Sequence, residues 1–227
     1  MDIKNYCFLF FIYSILGWTM EIINNLIREK KFVNRGFFIG PYCPIYGCGG
    51  ILITVFLSKY SEYPVALFCI ALVLCGVLEY LTSFLMEKIF KARWWDYSKR
   101  KFNINGRVCL ENIILFGILS CVIIYIANPF FLNILEHIPE NLSKVLLIIL
   151  GGIFIIDLII SLTIIYGLRT TVKEVNKKIN DNTEEITKKV KEILIGKSAL
   201  YRRLISAFPR ISIEKIKQKI KATTKQR

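Results

Sequence analysis

Five charged side chains within or beside apolar stretches are the residues of this chain that could do chemistry. Glu21 and Glu79 interrupt apolar stretches, Glu111 opens another, and Arg35 and Arg107 precede the second and fourth stretches. Charge inside a bilayer is costly, so such groups usually pair with one another or serve a function. We expect the five to converge at one level as a polar intramembrane cluster. They would act either as ion pairs that fix the packing, with Glu79 and Arg107 brought together by an antiparallel hairpin, or as the lining of a cavity open to the cytoplasm.

Asp157 is a sixth charged residue, and it lies about three turns from the cytoplasmic end of the last apolar stretch. No basic residue is near it in sequence, whereas Ser161 and Thr163 follow on the same stretch. Two interpretations are open. The carboxyl group could be neutral and hydrogen-bonded to a neighbouring helix, which we favour, or it could be the coupling carboxyl of a proton-linked or cation-linked site.

The stretch 34–50, NRGFFIGPYCPIYGCGG, is rich in glycine and proline. These residues permit unusual torsions and remove backbone donors, so the backbone here must pack against protein or line a wet cavity. We favour a tight turn in which Gly47 and Gly50 let two helices approach, over a broken helix that contacts a ligand. Asn34 and Gly36 would then be loop contacts.

A basic, aromatic loop joins the third and fourth apolar stretches. Its aromatic residues most simply form a belt at the membrane interface, and its acidic and lysine residues could bind lipid head groups or a partner. The candidate contacts in this loop are Trp94, Trp95, Asp96, Tyr97, Asn105 and Gly106.

The printed sequence offers little for catalysis or for metal binding. It contains no Walker A, GxSxG, HExxH or paired CxxC motif, and catalysis would have to rest on carboxylates. The seven cysteines fall mostly in apolar stretches at uneven spacing, which argues against a disulfide framework. We expect no metal and no cofactor, and we favour a protein that is not an enzyme.

Five apolar segments must position these residues, at about 6–26, 42–57, 64–85, 108–126 and 145–166. The chain is 54% hydrophobic, with a mean hydropathy of +0.49. Segments of this length predict an all-α polytopic membrane protein with five transmembrane helices, although the second, of about 16 residues, is short enough to be broken or re-entrant.

Basic residues alternate along the loops and support five crossings. Loops 28–41 and 86–107 are rich in Lys and Arg, whereas loops 58–63 and 127–144 carry only Lys59 and Lys144. By the positive-inside rule, the N-terminus lies outside the cell membrane and the C-terminus in the cytoplasm.

The residues after the last apolar segment form a separate region. We divide the chain into a transmembrane domain, 1–167, and a basic, amphipathic, helical cytoplasmic tail, 168–227. The tail supplies much of the net charge of +14, with 17 Lys and Arg from Gly167 onward. We expect it to bind anionic lipids of the bilayer and not nucleic acid.

Several motifs together resemble a family of small multi-pass membrane proteins known as Putative ABC-transporter type IV, or CmpB-like. The motifs are LGWTMEI (16–22), VNRGFFIGPYCPIYGCGG (33–50), EYLTSFLME (79–87), WWDYS (94–98) and FNINGRVCLEN (102–112). The resemblance implies an integral membrane protein that is a permease-like transport component. Such a role would require a separate ATPase subunit, and a homo-oligomer is the alternative assembly.

Three functions are therefore open from the sequence. The first is a transport component with a cytoplasm-facing polar site. The second is a scaffold protein whose buried charges are structural and whose tail binds lipid. The third is a membrane enzyme acting on lipid head groups. Binding of a soluble ATPase would favour the first, and turnover of a lipid by the purified protein would favour the third.

Overall fold

A computed structural model describes residues 1–30, 32–34, 36–90, 95–178 and 199–207. Its helices are α1 (Ile3–Glu29), α2 (Pro44–Leu57), α3 (Pro64–Phe90), α4 (Leu110–Val122), α5 (Asn128–Glu136), α6 (Glu140–Lys178) and α7 (Ala199–Ala207). A 3-10 turn (Ser58–Tyr60) follows α2, and a π-helical segment (Ile123–Ala127) joins α4 to α5. Strands β1 (Asn103–Ile104) and β2 (Val108–Cys109) form an antiparallel hairpin.

Within the residues that the structure describes, four helical segments are long and apolar enough to cross a membrane. They are Ile3–Glu29, Pro64–Ile89, Leu110–Glu136 and Glu140–Gly167. Their outward surfaces remain apolar and exposed, as at Ile148 and Ile156, which are 74% and 61% exposed. A mostly helical bundle that exposes this much apolar side chain is suited to contact with lipid. One buried apolar cluster lies where α2, α3 and the π-helical segment meet, at Ile53, Leu57, Leu67, Ala71, Cys75 and Ile124.

Helix α2 is too short to be the fifth full-length span. Its 14 residues are about 21 Å long, against about 30 Å of bilayer hydrocarbon. The N–H of Cys43, just before α2, donates to the carbonyl of Ser14, 2.8 Å away and near the middle of α1. The second segment therefore starts its helix halfway along α1, and the prediction of five transmembrane helices is not confirmed.

Glycines set the close approach of α2 to α1. A Cβ on Gly47 would lie 2.2 Å from Ser14 Oγ and 2.5 Å from the Phe10 carbonyl oxygen. A Cβ on Gly50 would lie 2.3 Å from the ring of Tyr13. The two helices run antiparallel, because later residues of α2 meet earlier residues of α1. The prediction that Gly47 and Gly50 let helices approach is confirmed.

Gly47→Ala should separate α1 from α2 and lower the free energy of unfolding by about 1–3 kcal/mol, because the new Cβ meets backbone that cannot yield cheaply. Gly152→Ala is the matched control, since nothing lies within 4 Å of a Cβ there. It should be neutral or stabilising by up to about 1 kcal/mol, because alanine favours helix. Unfolding in mixed micelles measures both, and equal effects of the two changes would contradict this account.

The fourth of the predicted apolar segments lies in a helix that is longer than the sequence predicted. We expected it to end at Ile126, but the helix continues through Asn128 and Pro129 to Glu136. Pro129 has no N–H, and its ring crowds the preceding turn, so a π-helical segment accommodates it without ending the helix. Asn128 is buried there and bonds across the bundle, accepting from the hydroxyl of Tyr13 at 2.6 Å and donating to Thr54 at 3.0 Å.

The β-hairpin comes from an Asn-Gly turn. Asn105 and Gly106 have φ of 54° and 64°, which a type I′ turn requires, and the N–H of Arg107 donates to the carbonyl of Ile104 at 3.0 Å. The hairpin leads directly into α4 and so fixes where Arg107 lies relative to α3.

Most of the predicted basic tail, 179–198 and 208–227, lies outside the described residues. Helix α6 continues past the apolar span to Lys178, and α7 returns to the bundle, where Tyr201 lies beside Gly167.

Candidate functional site

The loop between α1 and α2, residues 36–43, is held by Asp157. The N–H groups of Ile39 and Gly40 donate to its two carboxylate oxygens at 2.9 and 2.6 Å. The hydroxyls of Tyr42 and Ser161 donate to the same oxygens at 2.6 and 2.9 Å. All four contacts are donors, which complements an acceptor-only carboxylate. We expected Asp157 to bond to a neighbouring helix, but three of its four hydrogen bonds come from the loop between α1 and α2, two of them from backbone N–H groups.

Aromatic side chains pack the same loop onto α6. Phe154 lies on the same face of α6 as Asp157, one turn earlier, and its ring stacks on Phe38 with centroids 5.0 Å apart. Tyr42 packs against Phe154 at 5.6 Å. Phe38, Tyr42 and Asp157 are all buried. The irregular backbone is therefore covered by protein and hydrogen-bonded along its amide side, as non-helical backbone at membrane depth must be.

Asn34 and Gly36 shape the start of this loop. The Asn34 side chain accepts from the indole N–H of Trp18 at 2.8 Å and donates to the carbonyl of Ile39 at 2.9 Å. Gly36 has φ of +126°, which side chains other than glycine rarely tolerate. Both predicted loop contacts thus hold the loop's own conformation.

A second polar group, which we call the carboxylate cluster, consists of Glu21, Tyr46, Glu79, Tyr97 and Asn112. The Tyr46 hydroxyl donates to Glu21 Oε1 at 2.6 Å. Tyr97 and Asn112 hydrogen-bond to the Glu79 carboxyl group, and Glu21 interacts with it electrostatically. Glu79 is 6% exposed, and its Oε2 has no hydrogen-bond partner among the residues that the structure describes.

Burial, the Glu79 carboxylate and its hydrogen bond raise the pKa of the Tyr97 phenol, so this residue stays a neutral donor. Tyr46 and Asn112 were not among the site residues predicted from the sequence. The signal that could have found them is helical spacing. Asn112 lies beside Glu111 but points about 100° away from it, toward α3.

Arg107 does not pair with Glu79 as expected. Its guanidinium donates to Glu87 Oε2 at 2.7 Å and to Ser83 Oγ at 3.2 Å. It also lies over the rings of Tyr80 and Phe84, at 5.6 and 5.4 Å. The antiparallel register sets Asn112 level with Glu79, which leaves Arg107 nearer the loop end of α3. Glu87 is about 12 Å further along the helix axis than Glu79.

The remaining predicted residues are more peripheral or lie outside the described part. Glu111 pairs with Arg100 at 2.7 Å on the surface, where the two side chains are 65% and 47% exposed. The indole of Trp95 donates to the carbonyl of Arg107 at 2.9 Å, and Asn105 donates to the Tyr80 hydroxyl at 3.0 Å. Arg35 and Trp94 lie outside the described residues.

The loop between α3 and the hairpin turns toward the protein. The N–H of Tyr97 donates to the carbonyl of Gly106 at 2.8 Å. Asp96 Oδ1 accepts from the N–H and hydroxyl of Ser98. Trp95 and Tyr97 are both half-buried and hydrogen-bond within the protein. The aromatic belt at the membrane interface stays a prediction.

The chemistry available here is that of oxygen ligands. Two carboxylates, two phenols and an amide can hold a proton or a cation, and a nucleophile–base pair is not among them. Within the described ranges, no group of three or more His, Cys, Asp or Glu side chains could hold a metal ion.

In the described part of the chain, four apolar helical segments are long enough to span a bilayer and hold polar groups between them, which is typical of a helical membrane protein. A family model described as Putative ABC-transporter type IV matches residues 8–162, and the chain belongs to that family. The resemblance carried by the sequence motifs is thereby confirmed. Neither a curated protein nor a solved structure matches the chain.

Proposed function

We propose that this protein is a permease-like component of a membrane transporter, with the carboxylate cluster as a polar site facing the cytoplasm. The observation that carries the proposal is Glu79, which is buried beside a second acidic residue, Glu21, and has one carboxylate oxygen without a hydrogen-bond partner among the described residues. A purely structural carboxylate at this depth would have both oxygens satisfied, since an unpaired buried acceptor is costly.

The half-length second segment supports the same proposal. The α1–α2 loop is irregular backbone beside the middle of α1, and α2 then runs back along the N-terminal half of that helix. Half-helices and unwound backbone near the membrane centre are typical of transporter binding sites. On this proposal the loop and α2 together complete the second of five crossings, with the N-terminus outside, as the alternation of basic loops indicates.

A scaffold role is the second candidate, and the Arg107–Glu87 pair favours it, because that pair is buried, bonded and away from the unpaired oxygen. The transport role also needs partners. We propose a separate ATPase subunit, because the family name describes an ABC transporter and the printed sequence lacks a Walker A motif. The basic tail would bind anionic lipid.

Glu79→Gln separates the two roles. Gln keeps the shape of the side chain and still accepts from Tyr97, so stability should change by less than about 1 kcal/mol if Glu79 serves a ligand. Binding should then fail. The measurement is mass spectrometry of small molecules that copurify with wild type and variant in mild detergent, alongside their melting temperatures.

Glu111→Gln is the matched control, because it is the same change at an exposed ion pair and should leave both copurified material and stability unchanged. A ligand present in wild type and lost only in Glu79→Gln would support transport. Strong destabilisation by Glu79→Gln, or the same retained molecules in all three proteins, would move the assignment to a scaffold.

A further inference from the structure

Helix α7 reaches back to the α1–α2 loop through one side chain. The Arg203 guanidinium donates through Nη2 to the carbonyl oxygens of Gly36, at 3.0 Å, and of Phe38. These groups are more than 160 residues apart in the chain. Arg203 is half-buried at this position, and Ala207 at the end of the same helix is 1% exposed.

The two edges of the loop have opposite hydrogen-bonding partners. Its N–H groups at Ile39 and Gly40 donate to the Asp157 carboxylate. Its carbonyl oxygens at Gly36 and Phe38 both accept from the Arg203 guanidinium. The Asp157 carboxylate also attracts Arg203 electrostatically. Converging backbone carbonyls beside a carboxylate, in unwound backbone, are the chemistry by which membrane transporters coordinate a cation.

The guanidinium fits this position incompletely. Arg203 Nε is buried and has no hydrogen-bond partner in the part of the chain that the structure describes. Burial also lowers the pKa of Arg203, against the opposing effect of Asp157. A cation with no spare donor could occupy the same oxygens without that unpaired group.

We propose that the carbonyl oxygens of Gly36 and Phe38, beside Asp157, form a binding site for a small monovalent cation, which the Arg203 guanidinium occupies as a ligand from the same chain. One carboxylate among neutral carbonyls balances a single positive charge, whereas divalent cations usually recruit more carboxylates. Helix α7 is then a competitor of the cation and closes the loop when the cation is absent. The site is separate from the carboxylate cluster and does not depend on the transport proposal.

The test compares full-length wild type, Arg203→Ala and Arg203→Gln in detergent. Melting is followed in choline chloride and in sodium, potassium or methylammonium chloride at one ionic strength. Both variants should gain at least about 5 °C in Tm from one of the small cations, because a ligand that binds only the folded state stabilises it. Wild type should gain much less, because Arg203 competes.

Arg202→Ala is the control, since it removes the neighbouring, exposed guanidinium and should behave like wild type. A second readout is the alkylation rate of Cys43, which interacts electrostatically with Arg203, in a background where it is the sole cysteine. The same cation should slow alkylation in the two Arg203 variants. No cation effect in them, an equal effect in all four proteins, or failure of both variants to fold would overturn the proposal.

Discussion

Asp157→Asn should lower the free energy of unfolding by about 3 kcal/mol or more. The carboxylate accepts from four donors, of which the N–H groups of Ile39 and Gly40 belong to the loop backbone. The amide of asparagine keeps one acceptor oxygen. In place of the other oxygen it has an NH2 group, which is itself a donor and faces donors that need an acceptor. Each buried donor left unpaired costs about 1–3 kcal/mol, and at least two would lose their acceptor.

Reversible unfolding in mixed micelles measures this loss, and alkylation of Cys43 reports whether the loop has opened. Cys43 is 7% exposed in the native protein, so its alkylation should become faster in Asp157→Asn. Thr163→Val on the same helix is the control. Among the residues that the structure describes, the exposed Thr163 hydroxyl bonds only the carbonyl of Ile159 in its own helix, so the effect of the change should stay within about 0.5 kcal/mol. Equal stability of the two variants would refute the anchoring role of Asp157.

Arg107→Met should cost about 3–5 kcal/mol, because it removes the guanidinium that balances the charge of the Glu87 carboxylate in a poorly solvated position. The two side chains are 9% and 13% exposed and lie 2.7 Å apart. Adding Glu87→Gln to Arg107→Met should recover much of the loss, because both desolvation costs then disappear together. Thermal and chemical unfolding of the two single variants and the double variant gives the coupling energy.

Arg100→Met provides the comparison for this pair. Arg100 and Glu111 are also 2.7 Å apart, but both are exposed, so water screens the charge of Glu111 when Arg100 is replaced. The expected loss is below about 1 kcal/mol. If Arg107→Met were equally mild, or if the double variant were no more stable than the single one, the buried pair would not be structural.

The sequence predicted the apolar segments well and the pairing of their charges less well. An apolar span can be recognised from its amino-acid composition, and the first, third and fifth predicted segments correspond to α1, α3 and α6. A charge pair depends on register instead. Eight residues along α3 separate the expected partner of Arg107, Glu79, from the observed one, Glu87, and loop composition does not fix such a difference in register.

The hydrogen-bonding role of Asp157 could not be predicted either, and here the reason is different. Two of its partners are backbone N–H groups, and every residue except proline has one, so no residue type marks them. Similarly, the Arg203 contact joins distant parts of the chain through carbonyl oxygens. The glycine and proline content of 34–50 did indicate irregular backbone, but it could not show that α2 would begin beside the middle of α1.

The π-helical segment at Ile123–Ala127 changes which positions of the helical stretch Leu110–Glu136 lie on the same face. A π turn holds about one residue more than an α turn, so positions after it are rotated by roughly 100° relative to an uninterrupted α-helix. The inward-facing residues of α4 and α5 thus follow two phases of one helical repeat, with the change of phase just before Asn128. A relative without this turn would need a one-residue gap in the middle of a transmembrane helix, where gaps are normally not placed.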